Sequence, residues 1–228
     1  MTALTPKARR GAESFVRHDI FWPAQLTVLA AILLSYNLPD SLTIRQTWLI
    51  PAIESVLFVA LVASTPWVPA HRHRERRRVA MSLIGLVSLS NLVNLALLVH
   101  VLLHGKQTNT LGEQLLLAGV EIWVTNVLLF TVWYWELDRG GPIARRREQC
   151  PPPDFLFANM TDPGLGGLEW RAGYVDYLYT SFTNATAFSP TDTMPLTAQA
   201  KLLMLVQSLA SLITIGMVFA RAINILVG

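Results

Sequence analysis

Residues 176–221 read DYLYTSFTNATAFSPTDTMPLTAQAKLLMLVQSLASLITIGMVFAR, and the order of these pieces decides the fold. A short aromatic stretch gives way to a polar turn holding Pro190, Thr191 and Asp192, and the turn feeds a long apolar run. From Leu196 to about Val227 that run would extend about 48 Å as a helix, at roughly 1.5 Å per residue. This exceeds the ~30 Å hydrocarbon core of a bilayer, so the helix must tilt or project beyond it.

The chain around this stretch is built of similar runs. Of its 228 residues, 52% are hydrophobic and only 14% charged, against roughly 25% charged in soluble domains. That composition belongs to integral membrane proteins. A net charge of +3 is compatible with nucleic-acid binding in a soluble protein, but here Lys and Arg collect in the connections, as membrane topology requires. We therefore expect no nucleic-acid partner. The lone Cys150 excludes an intrachain disulfide. The basic N-terminal stretch precedes an apolar run without a small-residue cleavage site, so it reads as leading into a retained first helix.

Four further apolar segments precede the opening stretch. The first, about Ile20 to Leu38, begins with Phe21-Trp22-Pro23, an aromatic anchor with the proline in a first helical turn. The second, Thr47 to Thr65, contains Glu54 and stops at Pro66 and Pro69. The charged run HRHRERRR, His71–Arg78, leads into the third, Val79 to His104, which is apolar all round except for Asn91, Asn94 and His100. The fourth, Leu111 to Leu137, ends in Trp133-Tyr134-Trp135, read as an interfacial aromatic belt. Residues 138–171 are rich in Gly and Pro without a hydrophobic period and read as an ordered loop or linker. The chain thus divides into a four-helix membrane region (1–137), a cytoplasmic loop (138–171) and a last module (172–228).

Charge sets the orientation. Lys7, Arg9, Arg10 and Arg17, the arginines of the 71–78 run, and Arg139, Arg145, Arg146, Arg147, Arg171 and Lys201 all fall on one side if the N-terminus is cytoplasmic. Only Arg45, Lys106 and Arg221 fall on or near the other. The location implied is a bacterial inner or plasma membrane. Residues 172–189 then either re-enter from the cytoplasmic side or cross completely. Asp176, Asn184 and several Ser and Thr favour re-entry, because a crossing would place them in hydrocarbon.

The last module resembles the pore of the potassium-channel superfamily. Asp176, Leu178, Ser181 and Thr186 match pore-helix positions. Thr186, Ala187, Phe188, Ser189, Pro190, Thr191 and Asp192 form the filter-like turn without a gap, and Met194-Pro195-Leu196-Thr197 and Lys201-Leu202 continue into an inner helix. The likeness covers about 45 residues. It implies a pore loop, a homo-oligomer, tetrameric by resemblance, and monovalent cations as the conducted species. The filter itself departs from the pattern. Such filters point successive carbonyls at the ion through glycine conformations, whereas Ser189 and Thr191 stand at the glycine positions and Pro190 fixes its own φ. Asp192 repeated around an axis would form an acidic ring that favours cations.

On the last helix Gln207, Ser211, Thr214, Val218 and Arg221 recur at helical spacing and give one mildly polar stripe. In a pore it would face water; in an ordinary bundle it joins helices by hydrogen bonds. Glu54 and Glu121 lie near mid-span, where a carboxylate costs a few kcal/mol unless protonated or paired. Asn91, Asn94 and His100 are their candidate partners, in a proton relay or in packing. The His71–Arg78 run either retains that end in the cytoplasm or binds anionic lipid. No metal site, cofactor or catalytic constellation is read. The sequence therefore gives an all-α integral membrane protein of five transmembrane helices plus a re-entrant pore-like helix and turn, with membrane lipid as its surroundings. Three functions fit: a channel-like protein lacking the potassium filter, a non-conducting scaffold that oligomerises through the module, and a proton-coupled transporter.

Overall fold

The computed structural model describes residues 6–37, 49–64, 73–104, 109–147, 149–165, 167, 170–187 and 192–227. Its long helices are α1 (Pro6–Asn37), α2 (Leu49–Ser64), α3 (His73–His104), α4 (Asn109–Leu137) and, last in the chain, α7 (Ala198–Val227). Between α4 and α7 lie strand β1 (Phe155–Phe157), the single-turn helix α5 (Ala158–Thr161), helix α6 (Tyr174–Ala187) and strand β2 (Thr193–Pro195). Among the described residues three stretches are long and apolar enough to cross a membrane: Arg77–His104, Gln114–Gly140 and Ala198–Ile223. The apolar part of α1, Phe21–Tyr36, is shorter, and α2 has 16 residues.

Helix α4 is the centre of the bundle. Its apolar window is 61% buried, against 28% for those of α3 and α7. It runs antiparallel to three neighbours. Phe21 of α1 meets Trp135 edge-on at 5.8 Å, Arg77 at the start of α3 donates to the Glu136 carbonyl at 2.8 Å, and the late α7 residue Val218 packs on Gly119. A Cβ at Gly119 would sit 2.5 Å from a Val218 methyl, so only glycine permits this approach of α4 and α7. The core joins Val28, Ala31 and Ile32 of α1, Leu83 and Val87 of α3 and Leu129 and Phe130 of α4.

Helix α6 begins beside the end of α4, where Tyr174 packs on Trp135 at 5.8 Å. After its 14 residues the chain returns to the same end, because β2 pairs antiparallel with β1, with Phe155 opposite Pro195 and Phe157 opposite Thr193. The ribbon joins the Gly- and Pro-rich segment to the last module. The sequence hid it because each strand has three residues and α6 lies between them.

Several expectations need correction. Pro23 is inside α1 rather than in its first turn, because the polar residues after Pro6 continue the helix; one helical hydrogen bond is lost there. The arginine run is not a connection: α3 starts at His73 and takes most of it into its first turns. The Trp133-Tyr134-Trp135 trio is no interfacial belt. Tyr134 and Trp135 are buried and Trp133 donates to Ser88 at 2.9 Å, since three neighbours wrap this end of α4.

Candidate functional site

The polar side chains that the sequence scatters over α4, α6 and α7 meet in one buried joint. Gln207 is fully buried at its centre. Its Oε1 accepts from the Tyr134 hydroxyl and, at 2.8 Å, from Asn184 Nδ2. Its Nε2 donates to Ser181 Oγ at 2.7 Å and to the Ser181 carbonyl at 3.0 Å. A primary amide has two donors and two acceptor positions, so Gln207 has no capacity left. Ser181 in turn donates to the Val127 carbonyl at 2.7 Å, which ties α6 to α4. One turn along α7, Asn126 donates to Ser211 Oγ at 2.9 Å, and Ser208 donates to Asn184 Oδ1 at 3.2 Å.

This local structure follows from the sequence. On α6, Tyr177, Thr180, Ser181, Asn184 and Ala185 fall at spacings of three, one, three and one, so a single stripe turns inward while Val175, Tyr179 and Phe182 stay exposed. On α7 the stripe of Gln207, Ser211 and Thr214 faces α4, and Leu202, Leu205, Leu209 and Leu212 face outward.

A second cluster caps the joint. The stretch Asp138-Arg139-Gly140-Gly141 ends α4 in left-handed backbone, with φ of 53° at Arg139, 76° at Gly140 and 97° at Gly141. A side chain at Gly141 would also crowd the Glu136 carbonyl at 3.3 Å, so the reversal needs glycine there. The turn leaves the buried Asp138 carboxylate facing α6 and β1. It accepts from the Tyr177 hydroxyl at 2.6 Å and from the amides of Asp154 and Phe155 at 2.8 and 3.4 Å. Asp154 accepts from the Arg139 amide at 2.9 Å and from the Thr197 hydroxyl at 2.8 Å, just ahead of α7. Arg145, also buried, donates to the carbonyls of Trp135 and Asp138 at 2.7 and 2.9 Å, with its guanidinium 5.0 Å from the Tyr177 ring centre. Burial pushes the Tyr177 phenol far above its ordinary value; Arg145 opposes the rise and Asp138 adds to it.

The sequence candidates are distributed unevenly over these clusters. Thr186 and Ala187 end α6 as exposed residues, Thr186 donating to the Phe182 carbonyl at 2.9 Å. Asp192 is exposed, its carbonyl accepting from the Ala158 amide at 3.1 Å. Phe188, Ser189, Pro190 and Thr191 lie outside the described residues. Of the two readings of the α7 stripe, burial within the chain matches the one that joins helices: Gln207, Ser211 and Thr214 are at most 1% exposed and Arg221 7%, while Val218 packs against Gly119. Assembly of several copies can only bury them further. Two of the expected partners of the glutamates, Asn91 and His100, are engaged elsewhere too. Asn91 donates to the Ile122 carbonyl at 3.3 Å, Asn94 is buried, and His100 is exposed and stacks on His104 at 4.8 Å. Glu54 is fully buried and neither carboxyl oxygen makes a hydrogen bond of ordinary geometry, although the Ser90 hydroxyl is close by. Glu121 Oε2 is also unbonded.

Sequence reasoning missed Tyr134, Asn126 and the cap residues Asp138, Asp154 and Arg145, and used Ser181 only as a match to pore-helix positions. A usable signal was present for Asn126 and Asn184, uncharged amides within apolar helices, which need partners in lipid. Among the described residues no group of three or more His, Cys, Asp or Glu is placed to hold a metal. No family model, curated protein or solved structure matches the chain, so the likeness to a channel pore rests on the quoted residues alone.

Proposed function

We propose that this chain is an integral membrane protein in which α1, α2, α3, α4 and α7 span the bilayer, α6 re-enters from the cytoplasmic side, and the pore-like module serves as a non-conducting structural joint. The observation that carries this reading is the saturated Gln207 amide. Every donor and acceptor position of the residue best placed to line a pore is used by Tyr134, Asn184 and Ser181 of its own chain. An ion path needs oxygens that can turn toward the ion. Between Leu202 and Ile223 the exposed residues of α7, among them Leu202, Leu205, Leu209, Leu212 and Phe219, carry no side-chain oxygen. Re-entry is supported by the return of β2 to the end of the bundle where α6 begins.

A second reading, weak cation conduction around an Asp192 ring in a tetramer, keeps one observation in its favour. Asp192 is exposed on the return limb, at the place where a channel has its filter mouth. Potassium and sodium flux into liposomes separates the two. A joint gives flux no higher than empty liposomes beside a conducting control. Flux that falls in Asp192→Asn would establish the channel instead. Labelling of Asp192→Cys in a Cys150→Ser background tests re-entry: reaction from the cytoplasmic side supports it, and reaction from the opposite side would make α6 a sixth span.

A further inference from the structure

Arg139 is the odd member of the cap. It holds left-handed backbone, φ 53°, which residues other than Gly, Asn and Asp seldom adopt, and it is only 5% exposed. A guanidinium is always charged and carries five N–H donors, so burying one away from an anion is costly. The two carboxylates of the cap serve other donors. Asp138 accepts from the Tyr177 hydroxyl and two backbone amides, and Asp154 accepts from the Arg139 amide and the Thr197 hydroxyl. Among the described residues the guanidinium has no carboxylate partner. Instead Nη1 donates to Cys150 Sγ at 2.8 Å and to the Pro151 carbonyl at 3.4 Å, Nη2 reaches Met160 Sδ at 3.9 Å, and Nε makes no hydrogen bond.

The buried cation is thus directed at a sulfur. Cys150 is partly exposed, so a small solute can reach that sulfur from water. Reactive cysteines combine a neighbouring cation with a path to solvent, and Cys150 has both. A thiol sulfur is a weak acceptor, whereas an oxygen added to it is a strong one. Oxidation of Cys150 therefore supplies the acceptor that Arg139 lacks.

We propose that Cys150 is a site of reversible oxidation by hydroperoxides, and that the sulfenic acid formed there accepts hydrogen bonds from the Arg139 guanidinium. With hydrogen peroxide, Sγ attacks one peroxide oxygen. An S–O bond forms as the O–O bond breaks, and the thiol proton leaves with the other oxygen as water. Sulfur loses the electron pair that the peroxide gains. The sequence holds no second cysteine to close a disulfide, so reduction falls to external thiols. One forms a mixed disulfide with loss of water, and a second releases Cys150. The site does not depend on whether the joint conducts. Full-length protein in detergent, reduced and then exposed to hydrogen peroxide with dimedone as the trap, tests it by intact mass. The wild type should gain the dimedone adduct about tenfold faster than N-acetylcysteinamide, a thiol with no cation beside it. Arg139→Gln should fall to the rate of that reference thiol. Dithiothreitol added before dimedone should return the oxidised wild type to its reduced mass. A wild-type rate no higher than the reference, an Arg139→Gln protein that reacts as fast as wild type, or a product that dithiothreitol leaves unchanged overturns the proposal. Should Arg139→Gln not fold, the comparison of wild type with the reference thiol still decides.

Discussion

Gln207 and Glu54 are both fully buried polar side chains, yet one makes four hydrogen bonds and the other none of ordinary geometry. The difference lies in their neighbours. Gln207 sits where α4 and α6 both bring polar groups, so each bond fixes the position of one helix relative to another. Glu54 sits on α2, which packs on α1 and α3, and of the polar residues of α3 Ser88 accepts from Trp133 and Asn91 donates to the Ile122 carbonyl, which leaves beside Glu54 the Ser90 hydroxyl without an ordinary hydrogen-bond geometry. Buried polarity specifies geometry in the first place and is only a cost in the second.

The cap extends the comparison to a buried charge and gives the largest expected effect. Asp138→Ala removes the acceptor of the Tyr177 hydroxyl and two backbone amides beside the buried Arg145. Breaking such an arrangement typically costs about 3–5 kcal/mol. Thermal unfolding followed in detergent should show a loss of that order, and a shift equivalent to less than 1 kcal/mol would mean that Arg145 and the ribbon hold the cap without Asp138. Gln207→Leu comes next. It keeps the volume but leaves the Tyr134 hydroxyl without its acceptor, at about 1–3 kcal/mol for a buried unsatisfied group, while Asn184 keeps the Met204 carbonyl. A variant as stable as wild type would show that the joint is held by packing alone. The smallest effect should have the opposite sign. Glu54→Leu substitutes an apolar group of similar volume for a polar one that makes no hydrogen bond of ordinary geometry, a change expected to be neutral or to stabilise by about 1–2 kcal/mol. Marked destabilisation in the same melts would reveal a bond to Glu54 and remove the contrast.

Much of the architecture was legible in the sequence, for a physical reason. Apolar runs bounded by prolines and charges mark helices wherever hydrocarbon or core surrounds them, so α2, α3, α4 and α7 fall close to where the pattern puts them. Two kinds of information were hidden. A stripe of Gln207, Ser211 and Thr214 has the same spacing whether it faces water or a neighbouring helix, and only the position of α4 decides between them. Tyr134 looks like its tryptophan neighbours, and what distinguishes it is contact with residues 50 and 73 positions further along the chain. The cap shares this difficulty. Asp138, Asp154 and Thr197 resemble ordinary loop residues until β1 and β2 bring them together.

The two-stranded ribbon bears on how the chain is made. Because β1 pairs with β2 and Asp154 holds Thr197, α6 belongs to a loop fastened at both ends. That fastening cannot form until the residues ahead of α7 have been synthesised, so it is a late, non-local contact. Helix α6 must wait at the membrane surface or sit loosely against α4, and it gains its partners Gln207 and Ser208 only as α7 inserts. A ribosome stalled before β2 would therefore leave Asn184 without Met204, Gln207 and Ser208, and quality-control proteases would meet α6 as part of an unfinished hairpin.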